Sequence, residues 1–169
     1  MKVGMLALQG DFLEHCHSLS QLGVEAIEVR LPELIEDLDG LIIPGGESTT
    51  IGKLMDAYGF IEPLRAFAQT RGIGGTCAGA ILMAQDVGRE QVLLKIMDIR
   101  IARNAFGRQI DSFETDLAAP FLQPPEPPYH AVFIRAPIIQ TVDGKAEALL
   151  SLADGRIVAA RQGKLLATS

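Results

Sequence analysis

Three short apolar runs in the first half of the chain each stop at glycine, and this punctuation constrains the fold more than any other feature. Residues 3–8 run into Gln9-Gly10-Asp11, Leu41-Ile42-Ile43 runs into Pro44-Gly45-Gly46, and a shorter run leads into Gly75-Thr76-Cys77-Ala78-Gly79. Apolar runs this short, bounded by turn residues, read as strands buried on both faces. The segments between them have helical spacing. A helix of about twelve residues opens at Gly10-Asp11, turns Leu13, Leu19 and Leu22 inward and ends at Gly23. Residues 24–30 make a second strand. Ser48-Thr49-Thr50 is placed to cap a helix reaching Tyr58. Pro63 suits the first turn of another reaching Thr70, and a further helix is expected from Ala78 to Asp86. Strands alternating with helices imply a parallel sheet covered on both faces.

The second half is patterned differently. Residues 96–101 alternate as a strand with one solvated face does, and Val132-Phe133-Ile134 is another strand. Residues 148–152 and 156–160 flank Asp154-Gly155, and Gln162-Gly163 precedes residues 165–168, so two hairpins are expected. Pro124-Pro125-Glu126-Pro127-Pro128 reads as a stiff surface spacer. One α/β domain with an antiparallel C-terminal extension is the architecture this implies.

Bulk properties narrow the partners. With 169 residues, 48% of them apolar, the chain is long enough to bury one core of its own. A net charge of −6 without a basic stripe argues against nucleic acid or an anionic membrane as the main partner. The apolar N-terminus is too short for a signal peptide and is followed by Asp11 and Glu14, and no run approaches the roughly 20 apolar residues of a membrane span. Cys16 and Cys77 have no metal-ligand spacing, and His15-Cys16-His17 on a helix would point three ways. A cytoplasmic protein with free thiols, and with no bound metal or cofactor, is expected.

Two loops carry chemistry. Gly75-x-Cys77-x-Gly79 has the glycine spacing of a nucleophile elbow, a sharp strand-to-helix turn that leaves no room for large neighbours. A helix starting at Ala78 would aim N–H groups at the sulfur and favour thiolate, and the Ala78 N–H could hold an oxyanion. The same spacing suits a buried core cysteine, and Arg71-Gly72-Ile73-Gly74 makes a poor strand to precede an elbow. Pro44-Gly45-Gly46 lies at the carboxyl end of a strand, the edge where open α/β sheets bind ligands. Gly46 N–H could be a second oxyanion donor; a plain strand-to-helix turn is the alternative, and no phosphate-loop spacing is present.

Further stretches complete a pattern: Leu8-Gln9-Gly10, Pro44-Gly45-Gly46-Glu47-Ser48-Thr49-Thr50, Arg103-Asn104-Ala105-Phe106-Gly107-Arg108-Gln109, Asp111-Ser112-Phe113-Glu114 and Phe133-Ile134-Arg135-Ala136-Pro137. With the cysteine turn, and in this order along nearly the whole chain, they resemble the class I, triad-type glutamine amidotransferases. Within these they resemble the family of glutaminase subunits of pyridoxal 5′-phosphate synthase. The resemblance implies a three-layer, flavodoxin-like fold and hydrolysis of L-glutamine to glutamate and ammonia through a Cys77 thioester. Ammonia would pass to a barrel-shaped synthase partner in a large hetero-oligomer. It also implies a glutamine site made by Gly46, Glu47, Ser48, Arg103, Ile134 and Arg135, with Gln9 at the same crevice. An arginine fork for the α-carboxylate and a glutamate for the α-ammonium fit that chemistry, although surface solvation is the ordinary role of an arginine.

In that family the histidine and acid of the triad lie in a His-Pro-Glu motif just after a stretch like Leu165-Leu166-Ala167-Thr168-Ser169. No histidine follows His130 here and no His-Pro-Glu occurs, while His15, His17 and His130 are poorly placed to replace it. The chain is therefore expected to lack the last segment of its domain. The competing expectations are a catalytically inactive glutamine- or partner-binding module and a cysteine-elbow protein with peptidase or redox chemistry.

Overall fold

The computed structural model describes residues 1–102, 112–122 and 127–169. Along the chain the elements begin with β1 (Lys2–Leu6), α1 (Phe12–Gln21), β2 (Glu25–Val29), a 3₁₀ turn (Pro32–Ile35) and β3 (Gly40–Ile43). Then come α2 (Ser48–Ala57), α3 (Ile61–Thr70), β4 (Gly72–Thr76), α4 (Ala78–Met83) and β5 (Ala84–Asp86). The second half is made of strands: β6 (Met97–Ala102), β7 (Phe113–Leu117), β8 (Tyr129–Phe133), β9 (Ile138–Val142), β10 (Glu147–Ser151), β11 (Ile157–Gln162) and β12 (Leu165–Thr168). Their main sheet has the order β2-β1-β3-β4-β12-β11-β9-β6-β5, with β10 added on β11 and β7–β8 forming a separate ribbon.

The first four strands are parallel, as the buried apolar runs require. The second half then returns to them. The β11–β12 hairpin carries β12 into the sheet parallel to β4, so the last strand of the extension belongs to the central layer. In register, Leu41, Ile73 and Leu165 form one row across β3, β4 and β12, and Ile43, Gly75 and Ala167 the next. These rows pack with Ile51 and Met55 of α2 and Leu82 and Met83 of α4 in one aliphatic cluster. Each such fully buried side chain contributes about 1.5–3 kcal/mol. No helix among the described residues is long and apolar enough to cross a membrane.

Several local expectations are corrected. The glycine-rich β4 is a regular central strand. A Cβ on Gly75 would stand 2.5 Å from Met83 Sδ and 2.7 Å from the Gly79 carbonyl carbon, so the missing side chains bring α4 down onto the sheet. Leu13 and Leu22 are 50% and 77% exposed. The face of α1 that meets the sheet carries Phe12, His15, Cys16 and Leu19, all half-buried, the i, i+3, i+4, i+7 stripe of one helical side. Ser48-Thr49-Thr50 does not cap α2. Glu47 does, accepting from the N–H groups of Thr49 and Thr50. Finally, α4 ends at Met83 rather than near Asp86, because the returning segment takes its free carbonyls: Leu94 N–H donates to Leu82 O and Ile96 N–H to Met83 O.

Candidate functional site

Cys77 lies between β4 and α4 with φ 48° and ψ −100°, a conformation L-residues avoid. Two contacts hold it there. Its N–H extends the parallel ladder by donating to Thr168 O of β12 at 2.8 Å, and α4 is locked against β3, where a Cβ on Gly79 would meet Ile43 O at 2.0 Å. The sharp turn is thus the result of close packing on both sides. One residue earlier, His15 Nε2 of α1 lies 3.2 Å from Thr76 Oγ1 and ties the first helix to the elbow.

The cysteine opens into a cleft of about 640 Å³ at the carboxyl ends of the parallel strands. Three loops and the end of β12 converge there. The β1–α1 turn brings Gln9 and Asp11; the β3–α2 turn brings Gly45, Gly46, Glu47 and Ser48; the segment from β8 to β9 brings Val132 and residues 134–137; and Ser169 follows β12. The first two loops brace each other. Asp11 N–H donates to Gly45 O at 3.1 Å, and Gln9 Oε1 accepts from Glu47 N–H at 2.9 Å. The third is held from behind by a second apolar cluster containing Leu117, Ala131, Phe133 and Ile138, in which Phe113 and Phe133 stack at 4.9 Å. Beyond buried Phe133 the chain turns outward, leaving Ile134 65% exposed and Arg135 at φ 51°.

The charges around Cys77 conflict. Burial pushes its thiol up, the Ala78 N–H pulls it down, the Asp11 carboxylate pushes it up, and the Arg135 guanidinium pulls it down; the balance lies above an ordinary thiol. The Ala78 N–H at the start of α4 acts in the expected direction, toward thiolate, and burial outweighs it. Alkylation of Cys77 by iodoacetamide in a Cys16→Ser background is expected to be slow at neutral pH. Its rate should climb with a midpoint above that of a free thiol, and a plateau already reached at pH 7 would contradict this electrostatic balance.

Gly46, Glu47, Ser48, Ile134, Arg135 and Gln9 thus share one cleft with Cys77, and the Ala78 N–H bonds the Cys77 sulfur, whereas Arg103 lies outside the described residues. Ser48 is 2% exposed, and its Oγ has no hydrogen-bond partner among the described residues, a buried orphan facing a cleft. Asp11, Val132 and Ser169 were not singled out from sequence. They reach the cleft only through loop convergence, and Ser169 Oγ is likewise buried without a described partner. His130 is on the surface ribbon, Nδ1 against Asp116 at 2.9 Å and Nε2 against Glu114 at 3.1 Å, and these bonds raise its pKa. Burial lowers that of His15. Neither these two nor His17 is hydrogen-bonded to Cys77 among the described residues, and no metal-binding group of His, Cys, Asp or Glu occurs among them.

A cysteine elbow at the carboxyl edge of a mostly parallel sheet, faced by a glycine pair from the neighbouring strand, is the arrangement of an α/β glutamine amidotransferase domain. Two solved structures from Thermotoga maritima share the fold at low identity. They are PurLQS (TM-score 0.68, 14% identity, 99% of this chain and 84% of that one) and a glutamine amidotransferase (TM-score 0.60, 12%, 99% and 74%). A crystal structure described as a glutamine amidotransferase superposes with a TM-score of 0.90 at 48% identity, over 98% of this chain and 87% of that one. Residues 5–169 match the SNO glutamine amidotransferase family, and the chain belongs to it. Among curated relatives, the protein named pyridoxal 5′-phosphate synthase subunit PdxT of Herpetosiphon aurantiacus is 56% identical over all of this chain and 90% of its own length. Its namesake in Moorella thermoacetica is 53% identical over all of this chain and 89% of its own.

Proposed function

We propose that this chain is the glutaminase subunit of a pyridoxal 5′-phosphate synthase, hydrolysing L-glutamine to L-glutamate and ammonia for a barrel-shaped synthase partner. The observation that carries this reading is the strained Cys77 lining the cleft, with the Gly45–Gly46 turn against it, in a chain whose whole length aligns with 90% of a relative of that name. Cys77 sulfur, as thiolate, adds to the side-chain carbonyl of glutamine, and the N–H groups of Gly46 and Ala78 receive the oxyanion. The C–N bond breaks, the departing nitrogen takes the proton that the thiol gave up and leaves as ammonia, and a γ-glutamyl thioester remains. Water adds to that thioester and releases glutamate and the thiol. Ser48 Oγ, buried and without a partner among the described residues, supports a polar ligand group beside it, and Arg135 supports the α-carboxylate. Glu47, Gln9 and Ile134 complete the glutamine site in this reading, together with Arg103.

A second reading has its own support. Burial raises the pKa of the Cys77 thiol, and no histidine among the described residues bonds to it, which fits a chain that binds glutamine or its partner without turnover. Ammonia release from glutamine, measured with this chain alone and together with the synthase partner, separates the two. Turnover that is lost in Cys77→Ala, and labelling of Cys77 but not Cys16 by a diazoketone analogue of glutamine, is the expected result. No ammonia in either mixture would leave the binding-module reading standing in place of the enzyme.

A further inference from the structure

Among the described residues the carboxylates of Asp11 and Glu47 reach the cleft, and they are differently engaged. Glu47 is occupied by its own helix: its oxygens accept from Thr49 N–H at 3.2 Å, Thr50 N–H at 2.7 Å and Thr50 Oγ1 at 2.9 Å. These bonds hold its carboxyl below the usual range, although burial opposes them. Asp11 stands at the N-cap position of α1 yet makes no side-chain bond to that helix, although Asp there ordinarily accepts from the first free N–H groups. Its carboxylate turns to the cleft instead. Asp11 Oδ2 is 3.3 Å, and Cys77 Cβ 3.7 Å, from the point a Cβ on Gly45 would occupy, so acid and nucleophile flank the same glycine.

That spacing suits one part of the substrate. With its amide carbon at the sulfur, glutamine carries its α-nitrogen four bonds away, a reach of about 5 Å. An ammonium between Asp11 and Cys77 would be paired with the acid and would relieve its repulsion of a thiolate. We propose that Asp11 accepts the α-ammonium of the substrate, the role the resemblance gives to Glu47, and so selects free amino-acid amides. This assignment rests on the glutamine reading above.

The test compares L-glutamine with 4-carbamoylbutanoate, the same amide without the ammonium, by calorimetric titration of the full chain. Wild type should prefer glutamine. Asp11→Asn should weaken glutamine by about tenfold or more, the weight of a charge-assisted bond, and leave 4-carbamoylbutanoate unchanged; Asp11→Glu should restore part of the loss. Glu47→Gln should retain the preference. Equal weakening of both ligands by Asp11→Asn, no weakening of either, or loss of the preference in Glu47→Gln would each overturn the assignment while the glutamine reading stood. Wild type that binds neither ligand would remove both. A second measurement does not depend on glutamine: Asp11→Asn, in the Cys16→Ser background, should speed alkylation of Cys77 at neutral pH. An unchanged pH profile would place the carboxylate too far from the sulfur and overturn the proposal by itself.

Discussion

Gly79→Ala is expected to destabilise the protein by about 3 kcal/mol or more, at the upper end of overpacking effects because the obstacle is backbone. In a chain of this length that lowers Tm by about 6–12 °C. The added Cβ would stand 2.0 Å from Ile43 O and 2.8 Å from its carbonyl carbon, atoms of a central strand paired on both sides. β3 cannot yield without breaking its ladder, so α4 must lift. Lifting it withdraws the Ala78 N–H from the sulfur and releases the positive φ of Cys77. Gly74→Ala is the internal control. It lies in the same strand as Gly75, its nearest obstacle is Ile42 Cγ1 at 3.8 Å, and its φ is not positive. It should leave Tm within a few degrees, and an equal loss in both variants would mean that strand propensity, not the approach of α4, governs the elbow.

How much of this was legible beforehand depended on whether a feature is local. The parallel half was readable because each strand is an uninterrupted apolar run that ends on its own turn residues, and the hairpins at Asp154-Gly155 and Gln162-Gly163 carry their signal within a few positions. The cysteine turn and the glycine pair were readable as motifs. Misplaced features were mostly those decided by a partner distant in sequence, the cap of α2 excepted, where the neighbouring residue takes the role. β4 looked weak because its glycines were judged by propensity, whereas their value lies in what they admit, the backbone of α4. Leu13 and Leu22 looked inward-facing because they are apolar, yet 12, 15, 16 and 19 make the stripe that meets the sheet. Ser48 and its threonines looked like a cap, but the carboxylate of Glu47 reaches both N–H groups. Asp11 and Ser169 gave no signal at all. One is a turn residue and the other follows a strand, and only the pairing of β12 with β4 brings the latter to the cleft.

Gly10→Ala should have the larger effect on the site itself. Gly10 has φ +103°, and a Cβ on it would stand 1.8 Å from Gly45 O and 3.3 Å from Gly46 Cα. An L-residue forced into left-handed backbone costs roughly 1–2 kcal/mol alone. The collision adds to this, because the Gly45 carbonyl it displaces is the acceptor for Asp11 N–H. The two turns are further joined by Gln9 Oε1 and Glu47 N–H. Moving one therefore moves the other, and Gly46, Glu47 and Ser48 shift together relative to Cys77. Loss of about 3 kcal/mol of stability is expected, with at least about tenfold weaker binding of glutamine, since misplacement of about 1 Å is costly in such sites. Gly23→Ala provides the contrast: φ is +70° there too, but nothing lies within 4 Å of the added carbon. It should show the conformational cost of about 1 kcal/mol without any change in glutamine affinity. If Gly10→Ala also kept its affinity within twofold, the bracing of the β3–α2 turn by the β1–α1 turn could not be what shapes the glutamine site.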